Sequence, residues 1–489
     1  MSRQTVRKLF LIVVLCVLGS SGYAAYHHMG EIDSGIFVGT YPETADTKLD
    51  SCTLCHTGGS YVNPKDGKTV TLGSCQWCHY SYGYDASGNI DATLNAYGLA
   101  YKSKGRSSAA LGAIEDTDSD GDGYANKIEI AALRFPGDKN DDPSKVPAPF
   151  KVYSREQLEC LPQHTQFLLM NAHKSTDFYA EYVGVAMADL LKSAGILPSA
   201  LNIKVFAPDG FSQFHPLDPD QNPLFYHVIG DYPPAVYHYS DQADVQKNQT
   251  DGWVDYTSPF AIGFKNGDSI ENEDGLKLML AFYRDAEYLD PGVLTPQNKL
   301  DGEGPFRVVP PQKVPGPPDQ RSTAGNQSVI WPFDANADHN AGYSTRSATI
   351  IKVDPLPEGT TDIDTLEAGW KYVDEGKIVV YGAIDPIPTI VEKLEVLWAT
   401  LKSSDPKSYK NPIYRKIFQL EVALVKQLVK YGKYSAALKV LEKGVMVHVD
   451  GCSAETGRSD GSDWLRDCTL QKKIYWDLHE LVVLLGIRA

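Results

Sequence analysis

After residue 386 apolar residues recur every third or fourth position, the period of a helix with one buried face. "TIVEKLEVLWATLK", "PIYRKIFQLEVALVKQLVKYG", "KYSAALKVLEKGVMVHV" and "WLRDCTLQKKIYWDLHELVVLLG" each place apolar side chains at i, i+3, i+4 and i+7. Tyr431, Gly432 and Gly451 mark turns between them. Residues 387–489 are expected to form a small antiparallel helical bundle. Its loop "SAETGRSDGSD" is flanked by Cys452 and Cys468, with 15 residues between them, and these two are the natural disulfide pair in an oxidising compartment.

Upstream the period changes. "LNIKVFAP", "SATIIKVDPLP" and "KIVVYGAI" are short β-prone runs ended by Pro or Gly. "VAMADLLKSAGI" reads as a helix closed by Gly195. Residues 150–386 therefore read as a β-rich α+β domain. "FPGDKNDDPSKVPAPF", residues 135–150, is the Pro/Asp/Lys linker before it. Residues 25–140 form a third, small and largely helical module. The whole is a multidomain α+β protein, which 489 residues suit, since one compact core rarely exceeds about 250–300.

The N-terminus has the pattern of an export signal over residues 1–24. Arg3, Arg7 and Lys8 precede the apolar run 9–18, and small residues including Gly22 and Ala24 follow. Ten apolar residues fall short of the ~20 that span a bilayer. A lipoprotein signal using Cys16 is the rival, although Leu15 is not the small residue such a signal places before its cysteine. No later stretch is long and apolar enough to cross a membrane. An exported protein of the periplasm or cell surface of a bacterium is expected. A formal net charge of −16 argues against nucleic acid or an anionic membrane surface as partner, and fits redox protein partners.

The candidate chemistry is concentrated in "SCTLCHTGGSYVNPKDGKTVTLGSCQWCHY", residues 51–80, where each Cys-x-x-Cys is followed at once by His. Disulfides or a four-sulfur zinc site would use the cysteines and leave the histidines without a part. Covalent attachment of c-type haem uses every residue. The paired thiols add across the two vinyl groups of one porphyrin, and the next imidazole becomes the proximal iron ligand. Cys52, Cys55 and His56 are assigned to one haem, and Cys75, Cys78 and His79 to the other. The short glycine-rich spacer keeps the two close enough for electron exchange. His27 and His28 are candidate distal ligands, with His164, His173 and His339 in reserve.

"DSDGDGYANKIE", residues 118–129, matches the twelve-residue EF-hand calcium loop. Asp118, Asp120 and Asp122 take positions one, three and five, with Gly123 at the turn. Tyr124 offers its carbonyl at seven, Asn126 stands at nine, and Glu129 closes the site. The helical stretches "LNAYGLAYKSKG" and "KIEIAAL" are the expected arms.

The segments "SREQLECLP", "EYVGVAMADLLKSAGI", "VFAPDGF", "LMLAFYRDAEYLDP" and "GEGPFRVVPP" follow one another as in the molybdopterin-binding domain of the sulfite oxidase family, which the middle region resembles. That family holds molybdenum on a cysteine in the strand between the first two segments. Here that strand is "QFLLMN", residues 166–171, without a cysteine, and Cys160 lies upstream. The resemblance implies the scaffold without its metal ligand. Together, the two haem motifs and "GEGP" at 302–305 resemble the GEGP-motif diheme proteins, which implies a diheme c-type cytochrome. Glu303 is expected to be a turn residue between Gly302 and Gly304. "WPFDANADHNAGYSTRS", with Asp338, His339, Tyr343 and Arg346, is expected to be a hydrogen-bonded surface loop. The expected function is electron transfer. The alternative is an oxidoreductase whose middle domain acts on a small molecule while the haems relay electrons.

Overall fold

A computed structural model describes residues 32–45, 47–50, 53–56, 60–62, 69–71, 94–172, 177–208, 211–221, 225–230, 232, 236–238, 254–255, 268–295, 300–313, 338–364, 370–452 and 461–489. The export-signal reading of residues 1–24 lies outside them. The fold mixes helices with several sheets, as the changing periodicity requires.

The N-terminal module contains α1 (Ile32–Thr40), α2 (Thr53–His56), the antiparallel pair β1 (Ser60–Val62) and β2 (Thr69–Thr71), α3 (Ala96–Ser103), α4 (Ser108–Gly112) and α5 (Asn126–Ala131). Side-chain caps start two of these helices: Asn95 accepts from Gly98 N, and Ser107 from Ala110 N. Phe37, Leu49, Leu54, Tyr97, Leu111 and Ile130 form the core. Gly105 and Arg106 have positive φ and turn the chain after α3. The entering arm of the acidic loop is therefore α4, not the stretch 94–105.

The expected linker is a packed junction. Phe135, Asp141, Val146 and Ala148 within it are buried. Strand β3 (Val146–Pro147) runs parallel to residues Thr360–Thr361. The ring of His479, far along the chain, meets the Ser144 carbonyl at 2.9 Å.

The middle region continues with β4 (Phe150–Ser154), α6 (Arg155–Glu159), β5 (Gln163–Met170), β6 (Asp177–Ala186), α7 (Met187–Ala194), β7 (Asn202–Phe206) and β8 (Ser212–Pro216). After these come β9 (Val236–His238), β10 (Val254–Asp255), β11 (Ser269–Glu271), β12 (Met279–Arg284), β13 (Glu287–Tyr288), β14 (Val293–Leu294), β15 (Leu300–Asp301) and β16 (Arg307–Val309). The region closes with β17 (Ile350–Asp354), β18 (Thr360–Thr361), α8 (Trp370–Glu375) and β19 (Lys377–Gly382).

Two larger sheets dominate. One is ordered β10-β6-β12-β13, with β5 beside β6 and β16 beside β12. The other is β4-β19-β17-β7-β8, in which β17 and β19 are parallel. Central strands are covered on both faces, so they read as apolar runs. Ile350, Ile351 and Val353 on β17 are inaccessible, as are Ile378 to Tyr381 on β19. Met187, Leu190, Leu191 and Ala194 give α7 its buried stripe, and Gly195 ends it in the left-handed conformation, as expected.

The C-terminal region packs α9 (Ile387–Ser403), α10 (Pro412–Lys430), α11 (Tyr434–Val440) and α12 (Cys468–Gly486) around Leu394, Leu397, Leu401, Phe418, Val422, Val425, Leu478 and Leu481. The expected disulfide between Cys452 and Cys468 is present, with their Cα atoms 5.4 Å apart. Among the described residues no helix is long and apolar enough to cross a membrane.

Candidate functional site

Of the first Cys-x-x-Cys-His stretch, Cys55 and His56 are consecutive in the single turn of α2. Asn95 clamps this turn at two points and caps the next helix with a third bond. Its backbone N–H donates to the Cys55 carbonyl at 2.7 Å, and its Nδ2 donates to the Leu54 carbonyl at 2.9 Å. Its Oδ1 accepts from Gly98 N at 2.8 Å and so caps α3. Contact is tight enough that a Cβ on Gly98 would stand 2.6 Å from the Cys55 carbonyl oxygen. Cys55 is half-buried against the core. Burial first, then the carboxylate of Asp33, pushes its thiol up to about 12. Tyr97 is buried in the same core, and its hydroxyl has no partner among the described residues. Cys55 forms no disulfide with another described cysteine. Cys52, Cys75, Cys78, His79, His27 and His28 lie outside the described residues, as does the His56 side chain. Of the reserve histidines, His164 is buried on β5 and meets Gln166 Oε1 at 3.2 Å. His339 lies beside the 340–343 turn, and His173 is outside the described residues.

In the acidic loop three of the expected carboxylates lie together. Asp118, Asp120 and Asp122 each bring a carboxylate oxygen within 4.8 Å of the others. Asp118 accepts from Gly121 N at 2.7 Å and Gly123 N at 3.0 Å, and Asp122 accepts from Tyr124 N at 2.8 Å. Gly123 has φ +101°, which a side chain would strain. Glu129, on the first turns of α5, is fully buried with neither carboxylate oxygen partnered. Burial first, then Asp120, Asp122 and Asp118, pushes its carboxyl up to about 9. Asn126 has a different part from the ligand expected. Its Nδ2 donates to the Ile114 carbonyl at 2.7 Å and to Ser119 Oγ at 2.9 Å, while its Oδ1 accepts from Ser119 N at 3.3 Å. Asn126 braces the loop because its carboxamide points into the protein.

In the middle region β5 carries residues 166–170 of the expected strand and ends before Asn171, and Cys160 is an exposed cap at the end of α6. Asn171 and Gln312 are buried with unpartnered carboxamides. Asn340 ties the strand end carrying Asn171 to the segment that leads to Gln312, accepting from Asn171 N at 2.8 Å and donating to the Pro310 carbonyl at 3.1 Å. Nothing in the local sequence marks this polar seam, because its members come from three distant segments.

Glu303 corrects the expectation of a plain turn residue. Its carboxylate bridges Arg284, at 2.6 Å, and the buried guanidinium of Arg307. Gly302 and Gly304 flank it because residues 289–291 pass too close for a side chain. A Cβ at Gly302 would lie 2.6 Å from the Pro291 oxygen, and one at Gly304 would lie 2.4 Å from the Leu289 oxygen. Of the expected loop 331–347, residues 331–337 lie outside the described residues, and the remainder is only partly a surface loop. Asp338 accepts from the Tyr226 hydroxyl and from Lys313 N. Thr345 and Ser347 are buried rather than on the surface.

No family model, curated protein or solved structure matches the chain.

Proposed function

We propose that the protein is an exported electron carrier holding two covalently attached c-type haems. The twin Cys-x-x-Cys-His motif carries this reading, because both thiols and the following imidazole of each copy acquire a task. Two features of the fold fit it. Cys55 and His56 share a helical turn clamped by Asn95, so the thiol and the next residue are held on a fixed backbone. The unpartnered Tyr97 hydroxyl in the adjoining core is a donor left for a bound group.

Cys52, Cys55, Cys75 and Cys78 would form the thioether links, with His56 and His79 as proximal ligands and His27 and His28 as distal candidates. The haems supply a one-electron iron couple. The disulfide between Cys452 and Cys468 supports residence in an oxidising compartment such as the periplasm or the cell surface. The acidic surface fits docking to basic redox proteins.

Intact mass and a reduced-minus-oxidised spectrum of the purified protein test the reading. Two added porphyrins per chain are expected. A chain without porphyrin, or with zinc at the motif sulfurs, refutes it.

A further inference from the structure

We propose that the loop 118–129 binds one calcium ion, and that the bound ion fastens α5 and the junction that α5 leads into. This does not depend on the haem reading. The three loop carboxylates alone would be an acidic turn. The independent observation is Glu129, which is wholly inaccessible, has no hydrogen-bond partner at either oxygen, and faces the same three aspartates. Asp120 and Asp122 each also hold one buried, unpartnered oxygen. A buried carboxylate left without donors or counter-charge is strongly disfavoured, and one cation satisfies all of these oxygens together.

The donor set selects the ion. Every group offered is a hard oxygen, which suits calcium or magnesium over zinc or copper. Calcium takes roughly six to eight oxygens in irregular geometry, whereas magnesium demands a near-ideal octahedron and keeps several of its waters. Calcium also accepts a carboxylate through both oxygens, and both Glu129 oxygens are available.

The consequence follows from what α5 holds. The Glu129 carbonyl accepts from Arg134 N at 2.8 Å. Arg134 then reaches the Lys145 carbonyl at 2.7 Å and stands 3.7 Å from Asp141. Asp141 is bonded to Lys48 and Thr361, so it joins the helical module to β18. An ion that fixes Glu129 therefore fixes the start of the chain that crosses the junction.

The test uses the full-length protein, stripped with chelator and titrated with calcium, with magnesium in parallel. Calorimetry should show one calcium site, and calcium should raise the melting temperature by several degrees. Tyr124 should sensitise terbium luminescence that calcium displaces. Glu129→Gln replaces an unpartnered buried carboxyl with a neutral group of the same shape, so the stripped variant should be about as stable as the stripped parent. Its calcium affinity should be at least about 10-fold weaker. Hydrogen exchange should slow on calcium addition in α5 and in residues 132–148. Absent binding, an equal response to magnesium, or a Glu129→Gln variant that responds like the parent overturns the site. Protection confined to residues 118–129 overturns the link to the junction.

Discussion

Lys48 Nζ lies 2.8 Å from Asp141 Oδ2, and both side chains are almost inaccessible. Lys48 also donates through its backbone N–H to Asp364 at 2.7 Å, so this pair sits where the helical module meets the sheets. Burial pulls the Lys48 ammonium below its ordinary value and pushes the Asp141 carboxyl up, with each partner's charge opposing the shift. Removing Lys48 leaves the buried Asp141 carboxylate to the longer contact with Arg134, 3.7 Å away, and losing the closer partner costs about 3 kcal/mol. Lys48→Met should destabilise the protein by that amount in chemical denaturation. Adding Asp141→Asn should recover much of the loss, since the stranded carboxylate is gone.

Glu303 predicts a comparable loss for a different reason. Burial opposes its charge, but Arg307 and Arg284 outweigh burial and hold its carboxyl below the usual range. Arg307 has a second fixed contact, donating from Nε to Ser344 Oγ at 2.8 Å, so it cannot follow a departing partner to solvent. Glu303→Gln should cost about 3–5 kcal/mol and leave any visible spectrum of the proposed haems unchanged. A depressed carboxyl stabilises the fold above its unfolded pKa of ~4.3. That contribution should fade as the pH falls from there through the lower folded value, and the variant should lack this acid dependence.

These two clusters show why legibility stopped where it did. The C-terminal helices, the Cys452–Cys468 bridge and the Asp118–Glu129 loop are local patterns, in which periodicity or spacing alone fixes which side chains meet. The Lys48–Asp141 pair and the Glu303 bridge depend on residues brought together by sheet register, which no local pattern encodes. Asp141 looked like linker because Pro, Asp and Lys surround it, yet it is buried. The side chain of Asn126 turns inward for a related reason. Position in a loop pattern names a residue but not the direction of its side chain, and here Ile114 and Ser119 claim it.

His215 on β8 supplies an acid-sensitivity prediction. It is fully buried, with Nδ1 3.1 Å from the Tyr226 carbonyl and no partner for Nε2. Burial pulls its pKa down to about 4. The folded protein therefore holds a neutral ring that the unfolded chain protonates below ~6.5. Stability should fall as the pH drops from ~6.5 towards 4 and should level off below, a loss on the order of 3 kcal/mol in all. His215→Phe should remove this component of the slope, measured as unfolding free energy against pH. An unchanged slope would show that other groups carry it.

Asn95 joins stability to the proposed electron-carrying site. One side chain caps α3 through Gly98 and holds the α2 turn through Leu54, while its backbone binds Cys55. Asn95→Ala deletes the side-chain bonds and leaves the backbone bond. Loss of the cap costs about 1 kcal/mol. The Leu54 bond is buried, and losing it adds about 1 kcal/mol or more. The variant should therefore lose on the order of 2 kcal/mol. A surface defect would stop there, but this one lies directly under the first attachment motif. Loosening that turn should lower porphyrin occupancy at Cys52 and Cys55 while leaving Cys75 and Cys78 fully loaded. Peptide mass mapping of the two motifs distinguishes the outcomes. Equal loading of both would mean that Asn95 supports the fold without holding the first motif in place for attachment.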